Sequence, residues 1–587
     1  MKRLLLSLAF CVASIYTWAA KAITTPLSFT QPDGTTITVV MHGDEDYAWF
    51  TTTDGVFLCR EKTGFYISEI RDGQIAATSI IAHNSAERTS EELNAIAQQD
   101  RQLMISHLDG NIAHAKKTGI AERTPAYVAH SGSPKILVIL AEYSDFPFTV
   151  ADPKKSFNQF FNAEGAHVDY GNSEYRNYYS VREYFKVVSD GLFTPEFEVV
   201  GPVKVGSMNT YGGSNANSPN DENTTQLVID AITGMEQPVN VSDFDADGDN
   251  AVDLVYIIYS GYSQNAGGAA NTVWAKTSSF SQTVNDVKYT WYSCASELNS
   301  YPEYFESNGK APYINGIGVT CHEFSHALGL PDIYPTSASA HLDNQEMEYW
   351  DLMDGGEYIY NGFRPKDYTG WEREVMGWST IEPLNEAIEG LQVKPLLDGG
   401  KAYKFVNPEN EREYFVLENV QKQGLNQSMP GHGLIVYHVN WQSDEVAMYM
   451  CPNNIAGKPG MGIVPADGAC LSSYLDYSSS EYRSSHGGDP FPGTSELSEL
   501  NYTQNLPNYN WYNGESKVLD ALYNITEDTE SGIVTLSYTS DYDNLSSAIA
   551  TTTMKNNWSN RYFNLQGQQI SKPEHGIFII DGKKISK

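Results

Sequence analysis

The sequence predicts an α+β domain at the centre of the chain, between an N-terminal unit of short strands and a C-terminal β-sandwich-like domain. Three observations predict it. Two unbroken apolar runs, KILVILAEY from Lys135 and LVYIIYSGY from Leu254, suit strands at the centre of a sheet covered on both faces. Between them, SVREYFKVVS at residues 180–189 has helical spacing. After Ile381 short strand-like runs take over, namely YKFVN, EYFVLENV, GLIVYHVNW and GIVTLSY, punctuated by Gly, Pro, Asn and Asp.

Taken in order, residues 1–22 read as an export signal. Lys2 and Arg3 precede an apolar stretch at residues 4–18, and Ala20, Lys21 and Ala22 fit cleavage after Ala22. Cys11 follows Phe10, where lipid attachment wants a small residue, so no lipid anchor is expected. No later segment holds the roughly 18 apolar residues of a membrane span. The expected location is therefore secreted or cell-surface. Residues 23–125 alternate strand-like runs with the turns Pro32-Asp33-Gly34, Asp54-Gly55 and Asp72-Gly73, then end in a polar helical stretch at 90–114. Residues 126–385 form the α+β domain and residues 386–540 the β-rich one. Residues 541–587 are a polar linker and a short β tail, which resembles tails on exported proteins or is simply a stray hairpin.

With 38 Lys and Arg against 73 Asp and Glu, the chain carries a formal charge of −35, which repels nucleic acid and anionic membrane surfaces. The carboxylates suit divalent cations, or merely a soluble surface. Without Cys11 the cysteines are Cys59, Cys294, Cys321, Cys451 and Cys470, an odd set in a compartment that permits disulfides. Cys451 and Cys470 flank one loop and are a candidate pair. Cys294 and Cys321 are the other, joining two segments near the site derived next.

The chemistry concentrates in GIGVTCHEFSHALGLPD at residues 316–332. His322 and His326 are four apart, so a helix presents both on one face. A catalytic zinc takes three protein ligands and leaves one position open, and Glu323 is placed to act as general base. Gly329 lets the helix end sharply, and Asp332 arrives six residues after His326, where the HExxHxxGxxH metzincins place a third ligand. Downstream, WDLMDGG at residues 350–356 puts Met353 in a glycine turn like the Met-turn of metzincins. The domain is thus read as a metzincin-like zincin. Rival readings stay open: Asp332 as a plain turn residue, with Glu346 or Glu348 as third ligand in a thermolysin-like enzyme, and Met353 as an ordinary core residue.

These motifs, with the strand KILVILAEYSDFPF, the segment SVREYFKVVSDGLFTPEFEVVGPV, WEREVMGW at residues 371–378, EYFVLENVQ, PGHGLIVYHV and GDPFPGT, resemble the immune inhibitor A family of secreted bacterial metallopeptidases over about residues 25–540. The resemblance implies a zinc endopeptidase made with an N-terminal prosegment at 23–125, acting on protein or peptide substrates through His322, Glu323, His326 and Asp332. Cys321 before His322, and Ser325 where Gly is common, depart from the family pattern. The competing class is an exported binding or adhesion protein on an inactive peptidase scaffold. Nothing in the sequence speaks to oligomeric state.

A second cluster, Asp245, Asp247, Asp249 and Asp253, places side-chain oxygens at positions 1, 3, 5 and 9 of an EF-hand-like loop, so calcium is the expected guest. Tyr256 stands where that loop wants a Glu, and an acidic solvated turn is the plain alternative. Cys59 would matter if its thiolate capped the zinc in a latent form, but GVFLC reads first as an apolar strand. Tyr358 and Tyr360 are candidates to polarise a scissile carbonyl, whereas His432 and His438 read as structural.

Overall fold

The computed structural model describes residues 17–586 except 24, 45–46, 117–127, 167–175, 213–220, 222, 341–346, 444, 471–484, 515–516, 547–561, 566–567, 573–574 and 581–582. The expected leader therefore lies largely outside the described residues, as does Glu346.

The first strand, β1 (Thr17–Ala19), belongs to the central sheet. The next six, β2 (Leu27–Thr30), β3 (Thr36–Gly43), β4 (Ala48–Thr52), β5 (Phe57–Glu61), β6 (Gly64–Arg71) and β7 (Gln74–Ile81), form an antiparallel meander in sequence order. Its core of Ile37, Val39, Phe65 and Ile67 closes on Trp274 and Tyr301 from the central region. The helical text at 90–114 is two helices, Ser90–Ile96 and Arg101–Lys116. Asp100 breaks the run because its carboxylate accepts the Leu103 N–H, giving the second helix its own start.

The central sheet adds β8 (Lys135–Glu142), β9 (Glu196–Lys204), β10 (Val252–Tyr259), β11 (Lys276–Val284) and β12 (Val287–Ser296), in the order β1-β11-β12-β10-β8-β9. Strands β9, β8, β10 and β12 are parallel, β11 runs against β12, and β1 runs against β11. Every residue of β10 is buried, as its unbroken apolar text predicts. One face of the sheet, with Val138, Tyr256, Ile258, Trp291 and Ala295, packs on the helix Ile317–Ala327 through Ile317, Cys321, Phe324 and Ala327. The other face, with Leu137, Val255, Ile257, Tyr292 and Cys294, packs on the helix Thr224–Thr233 through Leu227, Val228 and Ile232.

This alternation corrects the expected Cys294–Cys321 bridge. Side chains on a strand alternate faces, and Cys294 points to the face opposite the helix that carries Cys321. The Cys451–Cys470 bridge is absent too: Cys451 is half-buried and accepts a hydrogen bond from the Thr336 hydroxyl, while Cys470 is exposed. The five cysteines among the described residues are free thiols.

Beyond residue 381 a five-stranded sheet and a three-stranded sheet, the latter made of Ile388–Val393, Ala521–Asp528 and Ile533–Thr539, enclose a shared core that includes Phe405, Phe415, Leu417, Val393, Leu522 and Leu536. The five-stranded sheet turns its other face, with Val416, Ile435, Tyr437 and Val439, to the core beneath the helix Ile317–Ala327. Four short strands from Tyr562–Phe563 to Lys583–Ser586 pair antiparallel in the tail. Among the described residues no helix is long and apolar enough to cross a membrane.

Candidate metal centre

The helix Ile317–Ala327 is buried along its whole length. Its first turn fits only because Gly318 lacks a side chain: a Cβ there would lie 1.9 Å from the Glu357 carbonyl oxygen, so Gly318 brings the 357 segment against the helix. At the other end Gly329 adopts φ +97°, and its N–H donates to the His326 carbonyl at 2.8 Å. That left-handed step reverses the chain and delivers Asp332 to the face bearing the two histidines. Ser325 donates to the Cys321 carbonyl at 2.7 Å, the back-bonding that lets a hydroxyl sit in a buried helix.

The structure brings His322, His326 and Asp332 together. The imidazole Nε2 atoms are 3.1 Å apart, and Asp332 Oδ1 is 3.3 Å from each. His322 Nδ1 faces the Leu352 carbonyl at 3.1 Å and His326 Nδ1 faces the Leu330 carbonyl at 2.8 Å. Carbonyls only accept, so each Nδ1 carries a proton and each neutral ring turns its Nε2 lone pair inward. Asp332 Oδ1 is buried without a hydrogen-bond donor. Three acceptor atoms thus converge with a proton or a cation needed between them, and the set fits a zinc ion with N, N, O ligation.

The electrostatics agree. Burial opposes charge on His322, yet the surrounding carboxylates of Glu357, Asp332 and Glu323 push it up to about 10. Burial lowers His326. Burial would raise Asp332, but the two imidazoles hold its carboxyl down at about 2. Burial pushes Glu323 up to about 8, against the pull of His322 and of hydrogen bonds from Thr277 and Ala20. The pocket therefore calls for positive charge where the ligand atoms meet.

Glu323 sits beside this centre, with Oε1 accepting the Ala20 N–H at 2.7 Å and Oε2 accepting the Thr277 hydroxyl at 2.9 Å. Met353 is buried in the core shared with the helix, and its carbonyl accepts the Ile333 N–H at 2.8 Å, tying the turn to the residue after Asp332. Tyr358 donates to the Lys21 carbonyl and accepts from Asn265, whereas Tyr360 is 53 % exposed. Glu348 is buried and pairs with Lys21. His438 is buried on Glu413 and His432 bonds Glu527, both away from the centre. Cys59 stays in β5, where burial pushes its thiol up to about 11, and the groups that touch the Glu323 carboxylate are Ala20 and Thr277.

Sequence reasoning missed Glu357, which is fully buried with no hydrogen bond on either oxygen and lies 3.9 Å from His322 Nδ1. Its one sequence signal was its place after Gly355 and Gly356, directly before Tyr358. Lys21 and Thr277 gave no signal. The second cluster also assembles: Asp245, Asp247, Asp249 and Asp253 each offer a carboxylate oxygen within 4.8 Å of the others. Asp245 accepts N–H groups from Gly248, Asp249 and Asn250, and burial pushes Asp253 up to about 7, helped by the neighbouring aspartates.

A helix with two imidazoles one turn apart, a glycine bend and a buried carboxylate closing the set define a candidate metallopeptidase domain. Residues 123–379, a stretch of mixed helices and sheets, match the family model described as immune inhibitor A peptidase M6, catalytic domain. The resemblance read in the sequence holds over these residues. The chain is 21 % identical over 359 residues to the pre-pro-metalloprotease PrtV of Vibrio cholerae serotype O1, covering 54 % of this chain and 38 % of that protein. It is 26 % identical over 314 residues to immune inhibitor A of Bacillus thuringiensis subsp. alesti, covering 45 % and 44 %. The chain thus spans under half the length of these relatives.

Proposed function

We propose that the protein is an exported zinc endopeptidase of the metzincin-like kind that hydrolyses peptide bonds in extracellular proteins. The observation that carries this reading is the convergence of His322 Nε2, His326 Nε2 and Asp332 Oδ1 beside a buried Glu323. When bound there, zinc supplies Lewis acidity to a scissile carbonyl and lowers the pKa of water to near neutrality. Glu323, whose two oxygens lie beside the ligand set, would take a proton from the attacking water and return it to the leaving amine. The Leu352 and Leu330 carbonyls orient the two imidazoles. Of the two tyrosine candidates, Tyr358 is the one beside the site, where its hydroxyl donates to the Lys21 carbonyl and so holds peptide backbone, whereas Tyr360 is exposed.

In the same reading residues 1–22 are a cleaved export leader and 23–125 a prosegment. The aspartate cluster at 245–253 takes calcium, and Met353 supports the metal centre from below. The test is Glu323→Gln: zinc content stays at wild-type level while casein hydrolysis falls by roughly a hundredfold to ten-thousandfold. Full activity in that variant would remove Glu323 from the mechanism. Casein cleavage abolished by a chelator and restored by zinc distinguishes an enzyme from a binding protein on the same scaffold.

A further inference from the structure

Residues 17–22 lie along the candidate site as an extended peptide does. Strand β1 pairs antiparallel with β11, Thr17 opposite Ser278, Trp18 opposite Thr277 and Ala19 opposite Lys276. The chain then passes over the centre with its backbone held on both sides. The Ala20 N–H donates to Glu323 Oε1 at 2.7 Å, and the Ala20 carbonyl accepts the Trp274 indole N–H at 2.7 Å. The Lys21 carbonyl accepts the Tyr358 hydroxyl, and the Ile23 N–H donates to the Asn265 carbonyl at 3.0 Å.

The Lys21 side chain leaves this strand for a closed acidic pocket. Its Nζ is 2.8 Å from Asp354 Oδ1 and 3.7 Å from Glu348 Oε2, and it lies 5.6 Å from the Tyr334 ring centroid. Lys21 is 1 % exposed, and the two carboxylates are buried with it. The Glu348 N–H donates to Asp354 Oδ2 at 2.8 Å, which fixes the pair to each other, and Glu348 is held at φ +50°, a left-handed conformation unusual for glutamate. Two carboxylates this deep are stable only opposite a cation. An ammonium on a long apolar stem fits that demand, and the Lys21 ammonium meets both carboxylates while the side chain is buried.

We propose that the Asp354–Glu348 pocket selects peptides with lysine at the second residue beyond the cleaved bond, and that residues 17–22 are an occupant of this groove supplied by the chain itself. The proposal rests on the peptidase reading above. Glu323 is the residue that must reach the leaving nitrogen, so the Ala20 nitrogen marks where that atom stands, and the Ala19–Ala20 bond marks the bond to be cut. Lys21 is then the second residue on the leaving side. Both oxygens of Glu323 already accept hydrogen bonds while the segment is seated, from Ala20 and from Thr277, so the occupant also withholds the base from water.

Two experiments test this. In the full chain produced without export, so that residues 1–22 are retained, hydrogen exchange is compared between wild type, Lys21→Met and Lys21→Glu. The expected result is exchange at least tenfold faster across residues 17–23 in both variants, and faster in Lys21→Glu, with the helix Ile317–Ala327 unchanged. Equal exchange in all three overturns the pocket assignment without reference to activity. The exported protein is then given a peptide library and its products are read by mass spectrometry. Lysine is expected at the second residue after the cut with at least tenfold enrichment, reduced in Glu348→Gln and in Asp354→Asn. Cleavage indifferent to lysine there overturns the specificity proposal, whereas a library left uncut by every variant while the exchange result holds overturns the peptidase reading instead.

Discussion

Replacing Asp332 with Asn is the perturbation that separates the proposed ligand set from its rivals. The side chain keeps its shape, but the oxygen 3.3 Å from both imidazole Nε2 atoms loses its charge. Zinc held by protein ligands at neutral pH is stabilised by roughly 10–16 kcal/mol. Shared among three ligands, that is about 4 kcal/mol each, or roughly a thousandfold in affinity. The loss should approach this figure, because Asp332 is the carboxylate that balances the cation's charge. Competition against a chromophoric chelator at fixed pH measures the affinity directly. Glu346→Gln is the control, and it should bind zinc as wild type does. Normal affinity in Asp332→Asn, with loss in Glu346→Gln, would refute the ligand set and favour the thermolysin-like arrangement.

Because the cysteines are unbridged, a thiol reagent applied to the unfolded protein without reductant should titrate Cys59, Cys294, Cys321, Cys451 and Cys470 in full, and reductant should leave the melting temperature unchanged; a drop matching a lost disulfide, roughly 2–4 kcal/mol, would contradict the thiol assignment. The aspartate cluster predicts a pH signature. The folded carboxyl of Asp253 is raised from 3.8 to about 7, so the ion-free protein binds an extra proton relative to the unfolded chain and loses stability as pH rises through that window. Calcium must displace that proton, so added calcium should raise the melting temperature more at pH 8 than at pH 5, and an equal shift at both would count against the site.

The motif was legible because a helix converts a spacing of four into one face, and Gly329 announced the bend that brings Asp332 back. The buried strands β8 and β10 were legible because continuous apolar text has few other uses at that length. What escaped was everything set by long-range packing. Ala20 and Glu323 are 303 residues apart in sequence, and no local periodicity links them. The cysteine pairing failed on parity: β12 sends Trp291 and Ala295 to one face and Tyr292 and Cys294 to the other, but which face receives the motif helix is decided by topology, not by the strand's own text. Glu357 stayed hidden for a related reason, since only the close approach allowed by Gly318 turns an acidic turn residue into a neighbour of His322.

The most direct test is a crystal of zinc-loaded protein examined by anomalous scattering on both sides of the zinc absorption edge. A single strong peak roughly 2.0–2.2 Å from His322 Nε2, His326 Nε2 and an Asp332 oxygen is the predicted result. Those three side chains hydrogen-bonded to one another, with no peak among them, would contradict it.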